Sequence, residues 1–387
     1  MNSILKRALL LIACFFVSFA VAQAPKVNII QGTTASGSGF EFDVPQNWNG
    51  NLVLYLHGIT DPAYPLMLPS QDPETDFPLV RDGLLQRGFA VAASSWKSNG
   101  YALKDAVQQT HQLRGLFVSN FGVPKKTIIA GKSLGALAAT RLVETYTGQY
   151  NGALLSCGPL AGSNAEMQYM GDERVLFDLF FPGVMPGNVN NTESTDFSYG
   201  SPLFMSVYTA LYGGFFDGRT LMFAYLANLQ ATNADEIMSA AMTGMGFSAR
   251  YGAEIKARTN GHNPYGNTNS VYGSADNPVN VGVGRFTQAE DAFEYLEHNY
   301  TPTGNLQIPV VTLHTTLDPV VPFPIHEPKF AKTVADQNAS QWLVQRSVNR
   351  FGHCAMKPEE ILGSFDALWT WVNDSNARPS GGDVTVP

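Results

Sequence analysis

What this chain lacks narrows the reading first. Its three cysteines and seven histidines show no zinc-ligand spacing, so no metal or other cofactor is expected. No internal repeat or low-complexity tract appears, which sets aside solenoids and disordered modules. No basic stripe appears either. Lys and Arg total 24 against 32 Asp and Glu, a formal net charge of −8, and an acidic surface repels nucleic acid. The apolar run over residues 8–22 falls short of the roughly 20 residues that cross a bilayer, so stable membrane insertion is not expected.

That run reads as a signal peptide. Lys6 and Arg7 precede it, and Ala22-Gln23-Ala24 forms a small-x-small cleavage site, so residues 1–24 are expected to be removed and the protein to be secreted or periplasmic. Leu11-Ile12-Ala13-Cys14 also fits a lipoprotein-type box. The apolar run continues straight past Cys14, which weighs against lipidation there. Cleavage after Ala24 removes two cations and no acid, leaving 22 Lys and Arg against 32 Asp and Glu, a net −10.

The most informative residues are Gly131-Lys132-Ser133-Leu134-Gly135. They lie between the apolar run Thr127-Ile128-Ile129-Ala130 and the helix-like Ala136-Leu137-Ala138-Ala139. A serine held in a sharp strand-to-helix turn projects its hydroxyl out of the sheet, and flanking glycines let neighbouring backbone pass close. An alcohol is a weak nucleophile at neutral pH. Ser133 therefore needs a base, and the base an orienting acid.

Both follow downstream. Val310-Val311-Thr312-Leu313 predicts a strand, and Asp318 comes just after it. Residues 343–348 predict a last strand, followed by Gly352-His353-Cys354 and a closing helix whose apolar positions Ile361, Leu362, Phe365, Leu368, Trp369 and Val372 fall at helical spacing. Upstream, the strand Leu52-Val53-Leu54-Tyr55-Leu56 runs into His57-Gly58-Ile59-Thr60.

In this order the pieces resemble the α/β-hydrolase superfamily, specifically secreted serine esterases with a large insert. The resemblance covers residues 40–372, with the middle third poorly matched. It implies Ser133 as nucleophile, His353 as general base, Asp318 as the acid, and an oxyanion hole from the backbone N–H groups of Leu134 and Ile59. His57 and Gly58 match the family's His-Gly loop supporting that hole. Ala136 departs from the pattern, since many lipases carry a second glycine there; alanine is small enough to take its place. The implied activity is hydrolysis of a small or polymeric carboxylic ester through an acyl-enzyme.

Strand and helix alternation up to residue 157 and after residue 309 predicts an α/β fold, with a mostly parallel sheet flanked by helices. Residues 25–162 and 304–375 are expected to form the core, and residues 376–387 a flexible tail. Residues 163–303, rich in Met, Phe, Tyr, Gly and Asn, read as a largely helical cap inserted after the sixth strand. Most of the cap aromatics must form its own core.

The other histidines read as bystanders. His111 lies on a helix, His262, His298 and His326 in polar or turn-rich surroundings, and His314 four residues before Asp318 without metal-ligand alignment. Asp61 rivals Asp318 as the acid, but Asp61-Pro62 reads better as turn chemistry. Cys157 ends the strand expected beside the nucleophile strand, and Cys354 adjoins His353. A disulfide between them would hold the histidine loop, the alternative being two buried thiols. Two other functions stay open: a secreted aminopeptidase-like enzyme, with Glu166, Asp172 or Glu173 gripping a substrate amine, and a binding protein on a hydrolase scaffold. Oligomeric state is not legible in the sequence.

Overall fold

The computed structural model describes residues 25–72, 75–190 and 193–386. The expected signal peptide on residues 1–24 and the lipoprotein alternative at Cys14 lie outside the described residues.

Two antiparallel strands open the fold, β1 (Val27–Thr33) and β2 (Gly39–Pro45). Then β3 (Leu52–Leu56), α1 (Phe77–Gln86), β4 (Ala90–Ser94), α2 (Leu103–Phe121), β5 (Thr127–Lys132), α3 (Leu134–Thr145) and β6 (Gly152–Ser156) alternate. The strands β3, β4 and β6 are buried along their whole length. Short unbroken runs of Val, Leu, Ile and Ala are what a sheet covered on both faces selects.

After β6 the alternation stops. Among the described residues six helices follow: α4 (Ser163–Phe180), α5 (Pro202–Asp217), α6 (Arg219–Leu226), α7 (Ala234–Arg258), α8 (Val279–Gly282) and α9 (Glu290–Tyr300). The core pattern then resumes with β7 (Val310–Leu317), α10 (Phe323–Asp336), β8 (Leu343–Phe351), α11 (Pro358–Asn373) and β9 (Gly382–Asp383).

The nine described strands form one sheet in the order β1-β2-β4-β3-β5-β6-β7-β8-β9. β2 meets β4 antiparallel, and every pair from β4 to β9 is parallel. One face is covered by α2, α3 and α10 through Leu113, Phe117, Leu137, Leu142 and Phe330. The other is covered by α1 and α11 through Leu84, Phe365, Leu368 and Trp371. The helical insertion packs around a core of its own that includes Phe177, Phe181, Phe223 and Met245, so many of its aromatics do serve that core. Other aromatics stay outside it: Phe216 and Tyr225 are exposed.

The structure differs from the sequence reading in several elements. Helices α5, α7 and α10 carry no expectation in the sequence reading. In α5 the apolar residues run all round rather than along a stripe, α7 carries three glycines, and α10 holds Pro324 and Pro328. The C-terminal tail, expected to be flexible, is pinned. Gly382 and Asp383 pair with Arg346 and Ser347 of β8, and Val386 N–H donates to Glu360 Oε1 at 2.8 Å. Without β9 the outer edge of β8 would be an open row of donors and acceptors, and an edge of that kind captures nearby chain.

Candidate active site

Ser133 stands between β5 and α3 with φ 54° and ψ −124°, a strained conformation for a non-glycine residue. It persists because its surroundings enforce it. Ser133 N–H donates to Ser156 O at 2.8 Å, and a Cβ at Gly135 would drive into the carbonyl oxygens of Leu56 and His57. A Cβ at Gly131 would collide with the backbone of Gly135 and Ala136. The two glycines of the motif are thus required by close backbone approach. Ala136 is fully buried, and Gly158 supplies the small residue opposite its methyl group.

His353 lies two residues beyond β8, after Gly352 at φ 117°. Ser133 Oγ lies 2.8 Å from His353 Nε2, and His353 Nδ1 lies 2.8 Å from Asp318 Oδ2. Asp318 follows the last residue of β7 and is completely buried. Its Oδ1 accepts the N–H groups of Val320 and Val321 at 2.9 and 3.0 Å. Burial alone would raise its pKa, but the imidazoles of His353 and His314 outweigh that and hold it well below the usual carboxylate range. Asp61, the rival acid, accepts Ala63 N–H at 2.9 Å as a turn residue does, and faces Arg250 at 3.7 Å.

The loop after β3 closes on Ser133 from the other side. Gly58 sits so close that a Cβ there would come within 3.2 Å of Ser133 Cβ. His57 Nδ1–H donates to Gly58 O at 2.7 Å, and its ring stacks on Trp96 at 3.7 Å between centroids. Burial lowers the His57 pKa to about 4, so the ring is neutral. Leu134 begins α3, so its N–H has no acceptor within the helix. Ile59 lines the same cleft as Ser133 and His353.

Cys157 and Cys354 form a disulfide with Cα atoms 5.3 Å apart. Cys157 directly follows β6 and Cys354 directly follows His353, so the bond ties the histidine loop to the sheet end beside the serine. Among the described residues the one cluster of metal-ligand types is Cys157, His353 and Cys354. Its two sulfurs are bonded to each other.

The cleft in front of Ser133 holds about 440 Å³, within the range of small-molecule sites. Its walls are largely polar. The β3 loop contributes Asp61 and Tyr64, and the helical insertion contributes Ser198, Tyr199, Arg250 and Tyr251. Lys132, the second residue of the motif, lies at the edge and is paired with Asp76 at 2.7 Å. None of Glu166, Asp172 and Glu173 lines this cleft. Asp172 instead accepts the hydroxyls of Tyr265 and Tyr272 at 2.7 and 2.5 Å. Glu166 and Glu173 are buried, and burial raises both, Glu166 to about 8.

Two histidines differ from the sequence reading. His326 is fully buried rather than in polar surroundings, with Nδ1 accepting Ala161 N–H at 3.1 Å and Nε2 lying 2.9 Å from Glu166 Oε2. His314 is fully buried on β7 directly behind Asp318, with Nε2 3.3 Å from Asp318 Oδ2. Its partner Glu327 comes from α10, an element absent from the sequence reading. The remaining bystanders stay outside the serine's surroundings: His111 stacks on Tyr146, and His262 pairs with Asp291 on the surface. No described helix is long and apolar enough to cross a membrane.

A mostly parallel sheet, helices on both faces, an insertion after β6 and a serine on a strained turn after β5 define an α/β-hydrolase. Within that class the chain belongs to the tannase-like family of unknown function, whose profile matches residues 34–289, more than half of the chain. Among curated proteins none matches. Solved structures with the same fold include an esterase from Aspergillus oryzae at 13% identity, TM-score 0.53, covering 92% of this chain and 80% of that one. Feruloyl esterase B from Aspergillus oryzae follows at 14% identity, TM-score 0.51, with 91% and 80% covered. An esterase from Pyrococcus furiosus is similar at 12% identity, TM-score 0.45, with 89% and 91% covered. At these identities the likeness to the two Aspergillus oryzae enzymes concerns the fold alone.

Proposed function

We propose that this protein is a secreted serine hydrolase that cleaves carboxylic esters through an acyl-enzyme. One observation carries the reading: a single imidazole, His353, stands 2.8 Å from both Ser133 Oγ and Asp318 Oδ2. That is the geometry of a nucleophile, its base and the group orienting the base. His353 takes the proton from Ser133 as the hydroxyl attacks the ester carbonyl. Asp318 accepts from Nδ1, fixes the tautomer and stabilises the imidazolium that forms. The N–H groups of Leu134 and Ile59 receive the oxyanion, each contributing about 3 kcal/mol if they behave as such donors do elsewhere. His353 then protonates the leaving alcohol, and a water activated in the same way releases the acid.

The helical insertion (residues 163–303) acts as a cap whose Tyr199, Arg250 and Tyr251 shape the substrate cleft. Tyrosines and one arginine on its walls suit a polar or aromatic ester better than a long alkyl chain. The disulfide, together with the apolar run behind Lys6 and Arg7, supports an oxidising, extracytoplasmic setting.

The test is hydrolysis of p-nitrophenyl butyrate by purified protein, with Ser133→Ala alongside. The substitution is expected to lower kcat at least a thousandfold, roughly the effect of removing such a nucleophile. Undiminished turnover in the variant would exclude Ser133 as nucleophile.

A further inference from the structure

Behind Asp318 lies a second, fully buried set of ionisable groups that the acyl-transfer steps do not use. His314 projects from β7 with Nε2 2.9 Å from Val321 O and 3.3 Å from Asp318 Oδ2. Its Nδ1 lies 3.0 Å from Glu327 Oε1. Glu327 in turn accepts from Thr312 Oγ1 at 2.7 Å and from Gln345 Nε2, both on Oε2. Val321 O can only accept, so Nε2 carries a hydrogen. Nδ1 faces a carboxylate whose other oxygen already takes two donors. The arrangement matches an imidazolium bracketed by two carboxylates.

We infer that His314 is a positioning residue held as a buried cation between Asp318 and Glu327, which keeps Asp318 ionised and aimed and weakens its pull on a proton at His353. The inference rests on the serine-hydrolase reading of Ser133, His353 and Asp318. The electrostatics agree with the geometry. Burial alone would lower the His314 pKa, but hydrogen bonds and charge from Asp318 and Glu327 reverse this and lift it to about 10.

Other ionisable groups also face this site. From α4 comes Glu166, raised to about 8 chiefly by burial. From α10 comes His326, lowered to about 3 by burial and by the charge on His314. Both are therefore uncharged at neutral pH, and Gln345 of β8 carries no charge. That leaves Asp318, His314 and Glu327 as the fixed charges behind His353, with the cation nearer to His353's partner than the second anion. A positive charge there opposes protonation of His353. The consequence is a base that stays free in mildly acidic surroundings.

The experiment has two arms. In the first, pH profiles of kcat/KM are compared for the parent, His314→Gln and Glu327→Gln, each of which keeps a hydrogen-bonding side chain of similar size. His314→Gln is expected to move the acid limb to higher pH by about half a unit or more, a roughly threefold loss of activity at pH 5.5 with the plateau changed much less, whereas Glu327→Gln, in which His314 is still protonated at that pH, is expected not to move it upward. A variant merely loosened in structure would lower the plateau without moving the limb. In the second arm, NMR of the resting protein with 15N-labelled histidine follows the His314 signals, identified by their loss in His314→Gln. Both ring nitrogens are expected to stay protonated from pH 6 to 9 in the parent, and one to lose its proton in that range in Glu327→Gln.

An acid limb in His314→Gln that coincides with the parent's would overturn the inference, as would a neutral His314 ring in the parent at pH 7. If the parent hydrolyses no ester, or Ser133→Ala is fully active, the serine-hydrolase reading fails, and the NMR arm alone then decides the charge on His314.

Discussion

Cys354 is bonded to Cys157, so the residue next to His353 is fastened to the residue that follows the strand beside Ser133. Both cysteines adopt positive φ, 46° at Cys157 and 53° at Cys354, conformations that persist only when the surroundings enforce them. The bond closes a separation of 197 residues and spans the whole helical insertion. It therefore fixes His353 relative to Ser133 without relying on packing of the insertion.

Opening that bond is expected to act on activity and stability together. Constraint of the unfolded chain by a disulfide is worth about 2–4 kcal/mol. The pair Cys157→Ala and Cys354→Ala should lower the unfolding midpoint accordingly. At a temperature where the variant is fully folded, kcat should fall at least about tenfold while KM changes little, because a looser imidazole damages the chemical step more than binding. A variant with parental kcat would show that the histidine loop holds its place without the bond.

Two glycine substitutions separate the strained turn from ordinary helix. At Gly135 a Cβ would meet the carbonyl oxygens of Leu56 and His57, backbone that cannot move aside. Gly135→Ala is expected to cost 3 kcal/mol or more, roughly what severe backbone overpacking produces. Gly115, exposed in the middle of α2, has nothing within 4 Å of an added Cβ. Gly115→Ala should instead stabilise by about 0.5–1 kcal/mol through the entropy lost by the unfolded chain. Chemical denaturation of both reads the contrast, and similar midpoints would refute the account of the turn.

Why some of this was legible beforehand and some was not follows from the kinds of contact involved. The strand β3 matches the apolar run 52–56 residue for residue, β5, β6 and β7 fall where β-branched and aliphatic runs place them, and β8 starts at the apolar pair Leu343-Val344. Such strands are local signals, because a sheet covered on both faces demands unbroken apolar runs. Ser133, His353 and Asp318 stand at the ends of these runs, so their order along the chain could be read directly. The meeting of His314 with Glu327 could not. Their thirteen-residue separation spans the turn from β7 into α10, whose two prolines mask its helical pattern. His326 and Glu166 lie farther apart still, on helices from different parts of the fold. One signal was available for His314. It sits within a strand otherwise made of Val, Thr and Leu, and an ionisable residue there must find buried partners.

Glu166 provides a test of that buried chemistry through stability. Burial raises its native pKa to about 8, against about 4.3 for an unfolded glutamate. Between those values the native state keeps a proton that the unfolded chain has released. Stability from this group therefore falls as pH rises through the window, and the penalty is complete above about pH 8. Glu166→Gln removes the titration while keeping an oxygen near His326 Nε2. The difference in unfolding midpoint, variant minus parent, is expected to be smallest near pH 4.5, to grow up to pH 8 and then to level off. A difference independent of pH would mean that Glu166 is not held protonated in the folded protein.

Arg250 tests what the cleft selects. Two cations line it, and Lys132 is paired with Asp76 at 2.7 Å. Arg250 donates through Nη2 to Phe197 O at 2.9 Å, and its Nε stands 3.7 Å from Asp61, a looser pairing than that of Lys132. Its side chain is 39% exposed, so any charge it offers a substrate is partly screened. An aryl ester bearing a carboxylate should therefore gain only modestly from it. Arg250→Met is expected to raise KM for such an ester by about three- to fivefold, roughly 0.7–1 kcal/mol, and to leave KM for the matching neutral ester within about twofold. Adding salt should shrink the difference in the parent and have little effect in the variant. If both esters lose equally, Arg250 shapes the cleft through its packing against the Phe197 segment, and the substrate's charge is not what the cleft reads.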